Sequence, residues 1–106
     1  MKKLSIEEFK LLCDKLSPKE FIINSENYLN LDIPENGLKY TLVFPRIVIS
    51  TPNTICFMDN DKYYIEFNRI KYIDQQEDSL LGKVFSIVCT GFIDEKKEYL
   101  HTIIMR

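Results

Sequence analysis

The chain of 106 residues has no tryptophan and no alanine, one histidine, three glycines and three cysteines. Each scarcity closes off a kind of chemistry. A lone imidazole, His101, excludes a histidine pair or a His-rich metal centre. Gly37, Gly82 and Gly91 stand apart, so no glycine-rich loop is present to cradle a phosphate. Cys13, Cys56 and Cys89 are odd in number and widely spaced, which fits neither a zinc ribbon nor a secreted disulfide framework. Their neighbours are apolar, so they read as buried thiols in a reducing compartment, and the expected location is cytoplasmic.

Long apolar runs are missing too. Nothing approaches the roughly 18 to 20 residues of a membrane-spanning helix, and Glu7 and Glu8 fall where a signal peptide would have its apolar centre. No run of Lys or Arg exceeds two residues and the net charge is −2, which disfavours a nucleic-acid binder, because phosphate contacts need a basic excess. Asp59-Asn60-Asp61 begins like a calcium loop, but Tyr64 and Ile70 occupy the places of its required glycine and glutamate. No metal, no cofactor and no membrane contact are therefore expected. Carboxylate pairs such as Glu77/Asp78 and Asp94/Glu95 fall in polar segments, where solvation is their ordinary state.

What the chain does have is a normal apolar fraction, 45%, rich in Ile, Leu, Phe and Tyr. A chain of this length buries roughly two thirds of its unfolded surface, enough for one domain over 1–106 without metals or disulfides. Ser5 and Glu8 form a capping box, with Leu4 and Phe9 placed as a hydrophobic staple. Ile6, Phe9, Cys13 and Leu16 then recur at helical spacing, which predicts a helix over 6–16. Ser17-Pro18-Lys19-Glu20 repeats the device and predicts a short second helix over 18–23.

From Tyr28 the period changes to two. Leu29, Leu31 and Ile33 alternate, Pro34-Glu35-Asn36-Gly37 reads as a turn, and Tyr40, Leu42 and Phe44 resume the alternation. Pro45 marks a strand end or edge; Ile47 and Ile49 lead to a turn at Thr51-Pro52-Asn53. Ile55 and Phe57, then Tyr63, Ile65 and Phe67, flank Asp59-Asn60-Asp61 as a hairpin. Runs over about 83–92 and 98–105 flank Asp94-Glu95-Lys96-Lys97 as another.

The segment 68–81 has two readings. Ile70, Ile73, Leu80 and Leu81 would line a helix, but Asp74, Glu77 and Asp78 crowd its negative end and Ile70-Lys71-Tyr72-Ile73 is β-rich. The charges favour a strand that turns a corner and returns through Leu80-Leu81-Gly82, with Ile70 and Ile73 buried. The expected fold is α+β: the helical pair packed on a curved antiparallel sheet or partly open barrel of five to seven strands.

The run YYIEFNRIKYIDQQ, followed by LLGKVFSIVCTG and a hairpin to KEYLHTII, resembles the core of bacterial PH-like or GRAM-like domains over residues 54–104. The resemblance implies a strand entering an I-x-x-I step, then a glycine-containing run and a hairpin. Those domains close with a C-terminal helix, whereas here helices come first and residues 98–106 read as strand. The basic loop that grips phosphoinositides has no counterpart, so the resemblance implies a shape without a lipid ligand.

Tyr63, Tyr64 and Tyr72, with Lys62, Arg69 and Lys71, form an aromatic–basic cluster that serves as a candidate partner surface. Tyr63 and Tyr64 point to opposite faces of a strand, so part of the cluster at most is one surface. A hairpin symmetric about Glu95 sets Cys89 opposite His101, and a two-residue turn shifts that pairing by one; an ordinary buried thiol is favoured over a nucleophile. The run Tyr99 to Met105, with Tyr99, His101 and Ile103 on one face, has no proline or acid to guard it and reads as an edge strand able to pair two copies. The expected function is a non-catalytic interaction or scaffold domain that binds a protein partner or itself. The alternative is an accessory or inhibitor protein of a mobile element acting on a nucleic-acid enzyme, and a small enzyme comes third.

Overall fold

The computed structural model describes residues 2–27, 35–43, 45–51, 53–59, 63–91 and 98–106. Among them are one helix and nine strands. A short strand β1 (Lys2–Leu4), which had no counterpart in the sequence reading, leads into α1 (Ile6–Leu16). The helix starts where its cap predicts: the Glu8 amide donates to Ser5 Oγ at 3.0 Å and the Ser5 amide to Glu8 Oε1 at 3.1 Å. Ile6, Phe9 and Cys13 are buried on one face, while Lys10 and Asp14 pair at 2.8 Å on the other.

The second predicted helix is a strand, β2 (Glu20–Asn27). Ser17 does not cap a new helix; it ends the first one in a left-handed conformation, φ 46°, with its amide donating to the Cys13 carbonyl. Pro18 follows, and the chain is then taken up by a distant partner: the Arg106 carbonyl accepts from Lys19 at 2.7 Å, and the Arg106 amide donates to the Glu20 carbonyl. Phe21 and Ile23 point into the core with no exposed surface and Ile22 points away, a period of two that no helix shares.

After β2 come β3 (Glu35–Val43), β4 (Pro45–Thr51), β5 (Thr54–Asp59), β6 (Tyr63–Phe67), β7 (Ile70–Gln75), β8 (Lys83–Thr90) and β9 (Glu98–Met105). They form two antiparallel sheets, ordered β1-β7-β8-β9-β2-β3 and β4-β5-β6. The chain passes from the larger sheet to the smaller between Val43 and Pro45, and returns through Asn68-Arg69. Neither sheet closes, so the barrel expectation gives way to two packed layers, with more strands than the five to seven expected. The expected turn at Pro34–Gly37 is replaced, over Glu35 to Gly37, by the start of β3. The strand expected from Tyr28 to Ile33 and the turns at residues 60–61 and 94–97 lie outside the described residues. The hairpins expected around them are present in β5/β6 and β8/β9, and β4, whose first residue is Pro45, is an edge strand, so both alternatives that Pro45 left open, strand end and edge, hold.

The helix and the smaller sheet pack on the same face of the larger one. Phe57 sits at their junction, 5.1 Å from Phe21, 5.2 Å from Phe67 and 6.2 Å from Phe9 between ring centroids, and Phe9 meets Phe85 at 5.2 Å. Ile23, Ile55, Ile73, Ile87 and Ile103 complete this core without exposed surface beyond 1%.

Segment 68–81 resolves as strand and corner. Ile70 and Ile73 are 8% and 1% exposed, and the polar excursion begins after Gln75. The edge reading of Tyr99, His101 and Ile103 is corrected: β9 lies inside the larger sheet, where Ile103 faces Phe85 of β8 on one side and Ile23 of β2 on the other. A strand with both ladders occupied has no free backbone row to offer a second copy.

Candidate functional site

Among the described residues, three places that bring polar or exposed apolar groups together bear on function. The first is a cavity of about 350 Å³ where β6 lies over β9, lined by Ser25, Ile65, Phe67, Cys89, Tyr99 and His101 among others. The β8/β9 register sets Cys89 opposite Tyr99 and His101 opposite Ile87, two residues away from the expected pairing. His101 Nδ1 lies 2.7 Å from Ser25 Oγ, and its ring packs on Phe67 at 4.4 Å. Burial lowers the imidazole to about 4 and raises the Cys89 thiol to about 12. At neutral pH both are uncharged, which is the reverse of the thiolate–imidazolium state a cysteine nucleophile requires.

The second is the corner that returns the chain to the larger sheet. Arg69 takes a left-handed backbone, φ 55°, and the bends on either side of it are pinned. The Ile70 amide donates to the Asn53 carbonyl and the Thr90 amide to the Arg69 carbonyl, both at 3.0 Å. Thr54 is buried and its hydroxyl donates to Asn68 Oδ1 at 3.1 Å. The residues around this corner border an open cleft of about 650 Å³. The candidate partner surface does not converge here. Arg69 turns its Nε to Thr90 Oγ1; Lys71 stands at a register irregularity and pairs with Glu98 at 2.6 Å. Tyr72 faces Val88 across the sheet, under the Lys3 ammonium, 5.4 Å from its ring centroid. The side chains of Tyr63 and Tyr64 lie outside the described residues. Glu98 holds the Lys71 ammonium above its ordinary value through their hydrogen bond and charge. Arg69, Lys71 and Tyr72 thus serve three different contacts.

The third place is the turn between β7 and β8, which sequence reasoning treated as a corner and not as a site. Ser79 and Gly82 exchange backbone hydrogen bonds, Ser79 N to Gly82 O at 2.9 Å and Gly82 N to Ser79 O at 3.2 Å, leaving Leu80 and Leu81 as the two loop residues. The Leu81 amide donates to Ser79 Oγ, Arg106 Nε donates to the Leu81 carbonyl at 3.0 Å, and Lys83 pairs with Asp78 at 3.2 Å. Gly82 has φ 145°, and a Cβ there would run into the Met105 carbonyl oxygen, so the turn rests directly on β9. At its tip Leu80 is 107% exposed and Leu81 52%. Beside it lies a groove of about 300 Å³ walled by Leu16, Pro18 and Met105 and rimmed by Asp78, Lys83 and Arg106. The sequence signal was there: tight two-residue loops favour Gly, Asn or Asp, and a leucine pair in that position breaks the rule.

Compared with known protein families, curated proteins and solved structures, the chain matches none. Among the described residues no three metal-ligating side chains converge, and no helix is long and apolar enough to cross a membrane.

Proposed function

We propose that this chain is a non-catalytic, cytoplasmic interaction domain that binds a protein partner through the Leu80–Leu81 turn. The observation that carries this reading is the exposure of both leucines on a turn held by backbone, side-chain and inter-strand bonds. A contiguous apolar tip in water is unfavourable by itself and marks surfaces that are covered in use. Because the turn is already ordered, docking loses little conformational freedom, which favours affinity. Acids (Glu77, Asp78) and cations (Lys83, Arg106) stand together beside the tip, with Asp78 paired to Lys83, so no basic patch is offered to an anionic lipid or nucleic acid and a protein pocket is the better match. The neutral state of Cys89 and His101 argues against a thiolate nucleophile at their cavity. The likeness of residues 54–104 to PH-like or GRAM-like domains is compatible with this role and adds no ligand.

The test is paired capture from the source cell. The parent chain and a Leu80→Ser/Leu81→Ser variant are used as bait, and bound proteins are identified by mass spectrometry. Proteins retained by the parent and lost by an equally stable variant support the reading. An identical set on both baits overturns it. A recurring nuclease or polymerase among the lost proteins would give the partner the character of a mobile-element target.

A further inference from the structure

We infer that the cavity between β6 and β9 binds a small uncharged aromatic molecule bearing a hydroxyl, held by a hydrogen bond to Nε2 of His101. This site is separate from the Leu80–Leu81 turn and does not depend on its role. The turn adjoins the Lys83–Met105 end of the β8/β9 pair, whereas Cys89 and Tyr99 of the cavity face each other near the other end. His101 alternates with buried Ile103 and Met105 on the face of β9 that meets the smaller sheet, and its ring lies 4.4 Å from Phe67. Nδ1 is taken by Ser25 Oγ at 2.7 Å. Nε2 makes no hydrogen bond within the chain, yet it is not sealed from water. With the sheet beneath it and Phe67 against its ring, its way to solvent runs through the cavity that His101 lines. An unbonded polar atom in a largely apolar recess is what fixes the orientation of a ligand.

The walls select the ligand. Ile65, Phe67 and Tyr99 offer apolar and aromatic surface, and Cys89 adds a neutral thiol. Asn68 and Thr90 also border the cavity, but Asn68 Oδ1 accepts from Thr54 and Thr90 Oγ1 from Arg69 Nε at the corner. Arg69 and Lys71 border the neighbouring cleft and not this cavity. Exposed Glu66 is the charged group among the described lining residues and disfavours an anion. His101, lowered to about 4 by burial, carries no positive charge at neutral pH to offset it. A cation would have to leave water among Ile65, Phe67 and Tyr99, which is costly. An uncharged ring system is left, and about 350 Å³ suits one of roughly two fused rings. A hydroxyl both donates and accepts, so it pairs with Nε2 in whichever tautomer Ser25 selects.

The experiment uses the lone histidine as its own reporter. The full chain, carrying nitrogen-labelled histidine, is titrated at neutral pH with naphthol, naphthoate and naphthylmethylammonium, and both ring nitrogens of His101 are followed by NMR. Naphthol is expected to move the Nε2 signal saturably, with a dissociation constant of roughly millimolar or tighter. The two charged analogues are expected to bind at least roughly tenfold more weakly. His101→Phe keeps a ring against Phe67 and removes the nitrogen; calorimetric titration of this variant, shown to be folded by thermal melting, is expected to lose at least roughly tenfold in naphthol affinity. Should that variant melt far below the parent, the parent spectra and the charged analogues decide. Absence of a saturable Nε2 shift, naphthol binding that leaves His101 unmoved, charged analogues as tight as naphthol, or a folded His101→Phe chain that binds as the parent does would each overturn the inference.

Discussion

His101 Nδ1 and Ser25 Oγ meet at 2.7 Å between two neighbouring strands, and the imidazole is held neutral there by burial against Phe67. The folded state lowers this histidine from 6.5 to about 4. The unfolded chain therefore binds the proton first as pH falls, and stability is lost from about pH 6.5 down to about pH 4, below which both states are protonated. A shift of this size on a half-buried ring corresponds to about 1–2 kcal/mol once solvent screening is allowed for. Urea unfolding at a series of pH values should show that slope in the parent and a flatter one in His101→Gln. Equal slopes would mean that the ring titrates normally in the folded chain.

The cysteines should separate by accessibility. Cys13 and Cys89 are 3% and 5% exposed, and burial raises both thiols, whereas Cys56 is half-buried and is raised by burial and by Glu66. Under native conditions iodoacetamide should label Cys56 first, and labelling of the other two should follow global unfolding. Peptide mass spectrometry over a labelling time course reads the order. Prompt labelling of Cys89 would place it at an accessible cavity wall and reopen a reactive role.

The elements that could be read from the sequence are those whose causes are local. The capping box at Ser5 and Glu8 and the stripe of Ile6, Phe9 and Cys13 carry the helix within one short segment. The alternation of Ile55 and Phe57 with Ile65 and Phe67 likewise carries its hairpin. Ser17-Pro18-Lys19-Glu20 imitated a helix start, and what decided against it was the pairing of Glu20 with Arg106, far along the chain. The interior position of β9 depends on the same distant partner, β2, and so could not be seen in residues 98–106 alone. Of the candidate surface, spacing brought Arg69, Lys71 and Tyr72 together in sequence, while the bend at Arg69 and the irregularity between Ile70 and Tyr72 turned them apart.

Ile73 should behave as a core residue. It is 1% exposed, opposite Ile87 on one side and Leu4 on the other. Ile73→Ala should cost about 2–4 kcal/mol through lost transfer energy and the cavity left behind. Chemical denaturation measures this directly, and a change near zero would mean that the strand is not packed as described.

Thr102→Pro tests the interior position of β9. Thr102 faces Ser86 on one side and Asn24 on the other. Proline there removes a ladder donor and places its ring in a paired strand, at a cost of roughly 3 kcal/mol or more. The variant should be unfolded or melt far below the parent by circular dichroism. A variant that folds with the parent's melting temperature would put the strand at an edge after all.

Gly82→Ala asks whether the turn depends on its contact with β9. The added methyl would meet the Met105 carbonyl oxygen, and the backbone there, φ 145°, disfavours any side chain. Both effects act on the Ser79–Gly82 bridge and leave the Phe57-centred core untouched. Destabilisation of about 1–3 kcal/mol is expected. Amide hydrogen exchange should rise first at Ser79, Leu81 and Gly82, whose amides the turn now protects, while the amides of Ile87 and Ile103 keep the parent's protection relative to global stability. Unchanged exchange at those three amides would mean that the leucine pair is carried by a turn that does not need glycine at its close, and its rigidity would then have to come from the Arg106 and Lys83 contacts alone.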